Sequence, residues 1–344
     1  MPFATLPKTF RATAGAALLL TLCVSMFGAY VRLSDAGSGC PDWPGCYGKA
    51  LVPNTTSLYP ERPLVLHKAR KEMVHRYAAG TLGLLLFGLF VMSRKPVLAY
   101  ARVHTRALLL LVIFQSLLGM WTVTLRLHPL IVMGHLVGGF AVAALLLMVW
   151  LEPRTDRLQV GRGTVAAARI ALAVVVMQIM LGGWTSANYA ATSCPDFPTC
   201  QGEWWPQMNL AEALWPAPPP PAGDYEGGTL AGESRTTIHF MHRLGAVLTL
   251  LLVGGLAWRM VRMAGMARAW GVWLGTVAVL QFAVGVANIW LMFPVGMAVA
   301  HNGGAALLLL SLVTANLQLG SIARINHHSS SSPWRGQAAI KENG

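Results

Sequence analysis

A chain of 344 residues that is 55% hydrophobic and only 11% charged does not read as a soluble globular domain, in which about a quarter of the residues are charged. That balance fits a chain immersed in a bilayer. The net charge of +13 is read as an orientation signal and an attraction to anionic headgroups, and nucleic-acid binding is set aside.

Eight apolar runs are long enough to cross a hydrocarbon core of about 30 Å. The first, residues 12–31, follows Lys8 and Arg11 and passes through Gly28-Ala29-Tyr30 into a motif-bearing loop. It is too long for a signal core and is expected to stay as a span. Inside it Cys23 reads as a small apolar core residue. The loop beyond carries Cys40-Pro41-Asp42-Trp43-Pro44-Gly45-Cys46, and the second run, 73–92, opens on Glu72, His75 and Arg76. Runs three and four, 107–125 and 129–151, carry Gln115 with Gly119 and then His135. The fifth run, 165–184, carries Gln178 with Gly182 and leads to Cys194-Pro195-Asp196-Phe197-Pro198-Thr199-Cys200. A proline-rich stretch at 215–221 reads as a stiff exposed connector whose role is open. Run six, 237–257, holds His239, His242 and Arg243; run seven, 269–292, holds Gln281 with Gly285; run eight, 295–317, holds His301. From about residue 324 no helical pattern remains, and the tail is expected to be disordered.

These landmarks occur twice. Gly28 precedes Cys40 by 12 residues and Gly182 precedes Cys194 by 12; Gln115 precedes His135 by 20 and Gln281 precedes His301 by 20. His75 to His135 is 60 residues, against 59 from His242 to His301. The chain is therefore expected to be an all-α integral membrane protein of eight spans in two similar four-helix units, residues 1–155 and 156–344.

Ionisable residues inside spans are costly and point to function. His75, His135, His242 and His301 are expected in the first one or two turns of the even-numbered spans, at matched depth. Two imidazoles on facing helices supply both axial ligands of a heme iron, and the repeat pairs His75 with His135 and His242 with His301. Zinc fits less well, because the cysteines lie in loops and the histidines lack close ligand spacing. His67, His104, His128, His327 and His328 read as solvated surface. Glu72 precedes His75 by one turn and His239 precedes His242 by one turn: a carboxylate able to move protons in one unit, an imidazole suited to hydrogen bonding in the other. Arg76 and Arg243 are placed either to pair with heme propionates or to snorkel to headgroups. The Gln-x-x-x-Gly motifs read as helix-packing devices.

With the N-terminus inside, 16 of the 26 lysines and arginines fall on the cytoplasmic side. Both termini are then cytoplasmic and the cysteine loops lie outside the cell's inner membrane. There each pair, Cys40 with Cys46 and Cys194 with Cys200, persists as a disulfide that staples its loop or takes part in redox handling.

The run Gly28 to Gly37, the Cys40–Cys46 loop, Glu72-Met73-Val74-His75-Arg76 and the three later histidines resemble the heme A synthase family over residues 12 to 320. The resemblance implies oxidation of the C8 methyl of heme O to the formyl of heme A, for terminal cytochrome oxidase. It further implies substrate heme at His75 and His135 with Glu72 near the chemistry, and a heme b cofactor at His242 and His301. Contact with heme O synthase and with an electron donor or acceptor belongs to the same expectation. From the residues alone, a diheme b-type electron-transfer protein is the alternative, disfavoured by a carboxylate at one site only.

Overall fold

The computed structural model describes residues 7–55, 58–99, 101–151, 157–215 and 223–321. Among these, eight helices are long and apolar enough to cross a membrane: α1 (Lys8–Leu33), α2 (Leu66–Met92), α3 (Ala101–Thr124), α4 (Pro129–Trp150), α5 (Arg162–Ala187), α7 (Gly232–Val261), α8 (Gly265–Trp290) and α9 (Val295–Gln318). A short α6 (Leu210–Ala213) lies in the long connection before α7. Two three-residue strands, β1 (Leu158–Val160) and β2 (Leu319–Ser321), pair in parallel, a small addition to the expected all-helical chain. The proline-rich run from Pro216 to Pro221 and the tail from Ile322 lie outside the described residues, and with them His327 and His328.

Leu84, Leu110 and Leu251 project 66–74% exposed from α2, α3 and α7, which fits a lipid-facing surface. Lipid removes most of the hydrophobic drive between helices, so close packing by small residues holds the bundle. Gly271 shows the requirement: a Cβ there would stand 2.6 Å from the backbone nitrogen of Val261, where α8 crosses α7. α1 packs on α2 and α4, and α3 packs on α2 and α4; α5 and α8 both pack on α7 and α9. α4 against α5, and α1 and α4 against α9, join these sets. Phe10, Leu86, Leu108 and Leu146 fill one core cluster; Val253, Met260, Leu274 and Leu312 fill another, to which α4 contributes Phe140.

The repeat reaches the backbone. Non-glycine residues in the left-handed region occur at Asp35 and Tyr189, Tyr47 and Gln201, Arg126 and Met292, and Leu127 and Phe293, which are equivalent positions of the repeat. Peptide bonds Trp43–Pro44 and Phe197–Pro198 are both cis.

Several expectations need correction. α2 begins at Leu66 and α7 at Gly232, earlier than the apolar runs, because polar first turns continue a helix out of the apolar zone. His75 and His242 therefore stand in the third turn, whereas His135 and His301 stand in the second turn of α4 and α9. His67, exposed, and His104, half-buried, lie in the first turns of α2 and α3. Cys23 is exposed on α1 instead of lying in the core. His128 is half-buried, edge-on to Tyr225 at 5.1 Å, and burial holds its pKa below the ordinary histidine value.

Candidate functional site

Each cysteine loop is one small unit. Cys40 and Cys46 form a disulfide, as do Cys194 and Cys200, and all four are buried. The aspartate two residues after the first cysteine closes the turn: Tyr47 N and Gly48 N donate to Asp42 at 2.6 and 2.7 Å, and Gln201 N and Gly202 N donate to Asp196 at 2.6 and 3.0 Å. Donation by the Thr199 hydroxyl, helped by the Gly202 and Gln201 amides, holds the Asp196 carboxyl below the usual aspartate range. The repeated Cys-Pro-Asp was the legible sign of this role, and sequence reasoning passed over it.

The helix after each loop grips it. Cys40 N donates to Glu72 Oε2 at 2.8 Å, and Cys194 N donates to His239 Nδ1 at 3.2 Å. Glu72 and His239, both buried at 4% exposure, thus perform the same anchoring with different chemistry. Arg76 donates to the carbonyls of Asp42 (2.8 Å) and Gly45 and pairs with Glu72. Arg243 donates to the carbonyls of Thr199 (2.8 Å) and Cys194 (2.6 Å). Both guanidiniums turn inward onto loop carbonyls, which replaces the snorkelling alternative; backbone carbonyls there would otherwise lack donors.

Below the loops stand the histidines. The rings of His75 and His135 have centroids 6.5 Å apart at an interplanar angle of 80°. Two imidazoles on opposite sides of one metal, each with its nitrogen about 2 Å away, have ring centres roughly 6 Å apart. Among the described residues no group of three or more His, Cys, Asp or Glu side chains could hold a metal ion. Paired imidazoles with no third ligand suit heme, whose porphyrin supplies the other donors. The Nδ1 atoms of His75 and His135 are buried without a partner, again fitting rings reserved for something other than protein.

Four glycines make room for the four rings. A Cβ would lie from His75 Cε1 at 2.8 Å on Gly28, from His135 Cε1 at 3.4 Å on Gly119, from His242 Cε1 at 3.1 Å on Gly182, and from His301 Cε1 at 3.0 Å on Gly285. The glutamine four residues before the last three glycines does more than pack helices. Gln115, Gln178 and Gln281 each donate Nε2, at 2.9 Å, to the backbone carbonyl of His135, His242 and His301 respectively. The recurring spacing pointed to these residues; their target, a backbone atom on another helix, left no trace in the sequence.

The sequence profile of the cytochrome oxidase assembly protein family COX15-CtaA matches residues 11–313. The heme A synthase of Shewanella oneidensis is 43% identical over 310 residues, covering 87% of this chain and 93% of that protein. The heme A synthase of Caulobacter vibrioides is 27% identical over 331 residues (84% and 90%), and that of Halalkalibacterium halodurans 26% identical over 245 (68% and 71%). A repeated bundle with four glycine-seated histidines, matched by the family profile over residues 11–313 and by the Shewanella protein over 87% of this chain, belongs to the heme A synthase family of cytochrome oxidase assembly proteins.

Proposed function

We propose that this chain is a heme A synthase, a membrane oxidoreductase that oxidises the C8 methyl of heme O to the formyl of heme A for terminal cytochrome oxidase. The observation that carries the reading is 43% identity to a heme A synthase across 87% of the chain. Formally a methyl and a water become a formyl group, four protons and four electrons, so an electron acceptor is required. Contact with that acceptor and with heme O synthase belongs to the proposal.

His75 and His135 bind the substrate heme in the unit of residues 1–155, and His242 and His301 hold heme b in the unit of residues 156–344. The fit of His75 and His135 rests on their paired rings and the glycines beside them, and that of His242 and His301 on their own glycines and the repeated spacing. Heme b held there supplies one-electron chemistry. Glu72, one turn before His75, holds or accepts a proton at its carboxylate during methyl oxidation. His239 keeps the second loop in place. Arg76 and Arg243 hold the loops over the sites, and contact of their remaining N–H groups with heme propionates belongs to the same proposal. The disulfide end is read as the outer side, because such pairs persist in oxidising compartments.

Extraction and mass analysis of the hemes from purified protein tests the reading. Heme O, heme A or a hydroxylated intermediate beside heme b is expected, with heme b lost from His242→Ala and His301→Ala. Heme b alone, at full occupancy, would favour the electron carrier instead.

A further inference from the structure

Three of the four histidines sit in the same device, and the fourth does not. In the device a glutamine on one helix donates to the histidine's own carbonyl on the next, while a glycine four residues after the glutamine receives the ring. A second glycine, three residues after the histidine, leaves space for the carboxamide: a Cβ at Gly138, Gly245 or Gly304 would collide with Gln115, Gln178 or Gln281. At the equivalent places around His75 stand Val24, four residues before Gly28, and Ala78, three residues after His75. The donor is missing, and the glycine that would admit it is replaced by a residue with a methyl.

The comparison of α2 with α7 isolates the difference. Each is tied to its disulfide loop by the residue one turn before the histidine and by the following arginine. α7 is also pinned at its histidine by Gln178 of α5. Among the described residues no side chain of α1 donates to the His75 carbonyl; α1 meets α2 there through Phe27 beside the His75 ring and Tyr30 beneath Lys71. The ring nitrogens divide by site rather than by clamp. Gln178 Nε2 lies 3.0 Å from His242 Nδ1 and Gln281 Nε2 lies 3.3 Å from His301 Nδ1, whereas Nδ1 of His75 and of His135 has no partner. The clamp acts through the backbone: a hydrogen bond from the carboxamide to the histidine's carbonyl holds that turn of the helix against its neighbour and is worth about 1 kcal/mol.

We propose that Val24 and Ala78 are the positions that make the first site exchangeable: by leaving His75 unclamped they let this one ligand swing off the iron, so that substrate heme enters and product heme leaves while the second heme stays. This rests on the reading of two heme sites above. A site that must turn over needs a ligand with freedom to move, and a site that keeps its cofactor needs both ligands held. The Gln/Gly and Val/Ala sets are complementary pairs, so exchangeability is written in two residues outside the ligand set.

The test follows heme loss from the purified, heme-loaded full chain to excess apomyoglobin. Two phases are expected in the parent protein, the faster abolished by His75→Ala. The double variant Val24→Gln/Ala78→Gly, which builds the fourth clamp, is expected to slow the fast phase about tenfold, the worth of one added hydrogen bond. Gln281→Met is expected to speed the slow phase by a similar factor. Two phases in the parent with both variants releasing heme at parental rates would overturn the proposal alone. A single phase indifferent to His75→Ala would overturn the two-site reading, and the proposal with it.

Discussion

At the scale of single residues, Glu72 is used twice. Its carboxylate accepts from Cys40 N and pairs with Arg76, and in the proposed reaction it also moves a proton. Breaking a buried ion pair costs about 3–5 kcal/mol when the surviving charge is left alone. Arg76 keeps the carbonyls of Asp42 and Gly45, so Glu72→Gln is expected to cost nearer a single charged hydrogen bond, roughly 1.5–3 kcal/mol. A glutamine oxygen still accepts from Cys40 N. The variant is therefore expected to keep heme in both sites and to accumulate heme O or a partly oxidised product, measured as product heme per bound heme in one preparation. Falling occupancy with normal turnover per bound heme would assign Glu72 to anchoring only. The sequence made Glu72 visible as a charge at the edge of an apolar run, and it hid the anchoring, because Cys40 lies 32 residues away.

At the scale of elements, the two disulfide loops share a design, each closed on an aspartate, and differ at Thr199, whose place in the first loop is taken by Gly45. Asp196 has its pKa lowered, by the Thr199 hydroxyl first and by backbone amides after it. A folded-state value below the unfolded one contributes stability at pH above the unfolded value, and that contribution is lost as pH falls through the folded value. The side chain is half-buried at the protein surface, so solvent screens the effect and keeps it local. The second loop is expected to loosen on acidification below the ordinary aspartate range, read as faster hydrogen exchange at Gln201 and Gly202. Asp196→Asn is expected to loosen it at neutral pH and to remove the dependence; identical exchange in both proteins at every pH would refute this. Spans were legible because a bilayer imposes a length and a composition on each helix. Helix starts were not, because Leu66 and Gly232 lie where hydrogen bonding carries the helix past the apolar zone.

For the whole molecule, the joint between α1 and α5 closes on a point of the repeat itself. Arg32 Nη2 donates to the carbonyl of Ser186 at 2.8 Å, its own equivalent position, and its guanidinium lies 4.0 Å from the centre of the Tyr189 ring. Nearby Lys68 reaches Glu226 at 3.3 Å and Ser38 reaches the same carboxylate at 2.7 Å. The second contact is partly exposed and solvent-screened, worth below about 1 kcal/mol. The first joins a charged hydrogen bond to a cation–π contact, roughly 2–4 kcal/mol together. Arg32→Ala is expected to lower the thermal midpoint in detergent clearly more than Glu226→Ala does. Equal shifts would show that the joint is carried by helix packing alone.

The sequence by itself determined the eight spans, the doubled order of Gly, Cys, His and Gln, the histidine set and the resemblance that led to the family. All of these are periodicities and spacings, set by bilayer thickness and by a copied local plan. Only the tertiary structure decided that Arg76 and Arg243 turn onto loop carbonyls, that Glu72 and His239 hold equivalent amides, and that three glutamines donate to the carbonyls of three of the four histidines. Each of those contacts joins residues 20 to 64 positions apart or more closely only through a folded turn, and its donor finds its acceptor because helix packing removes water and every buried polar group must then find a partner in the protein.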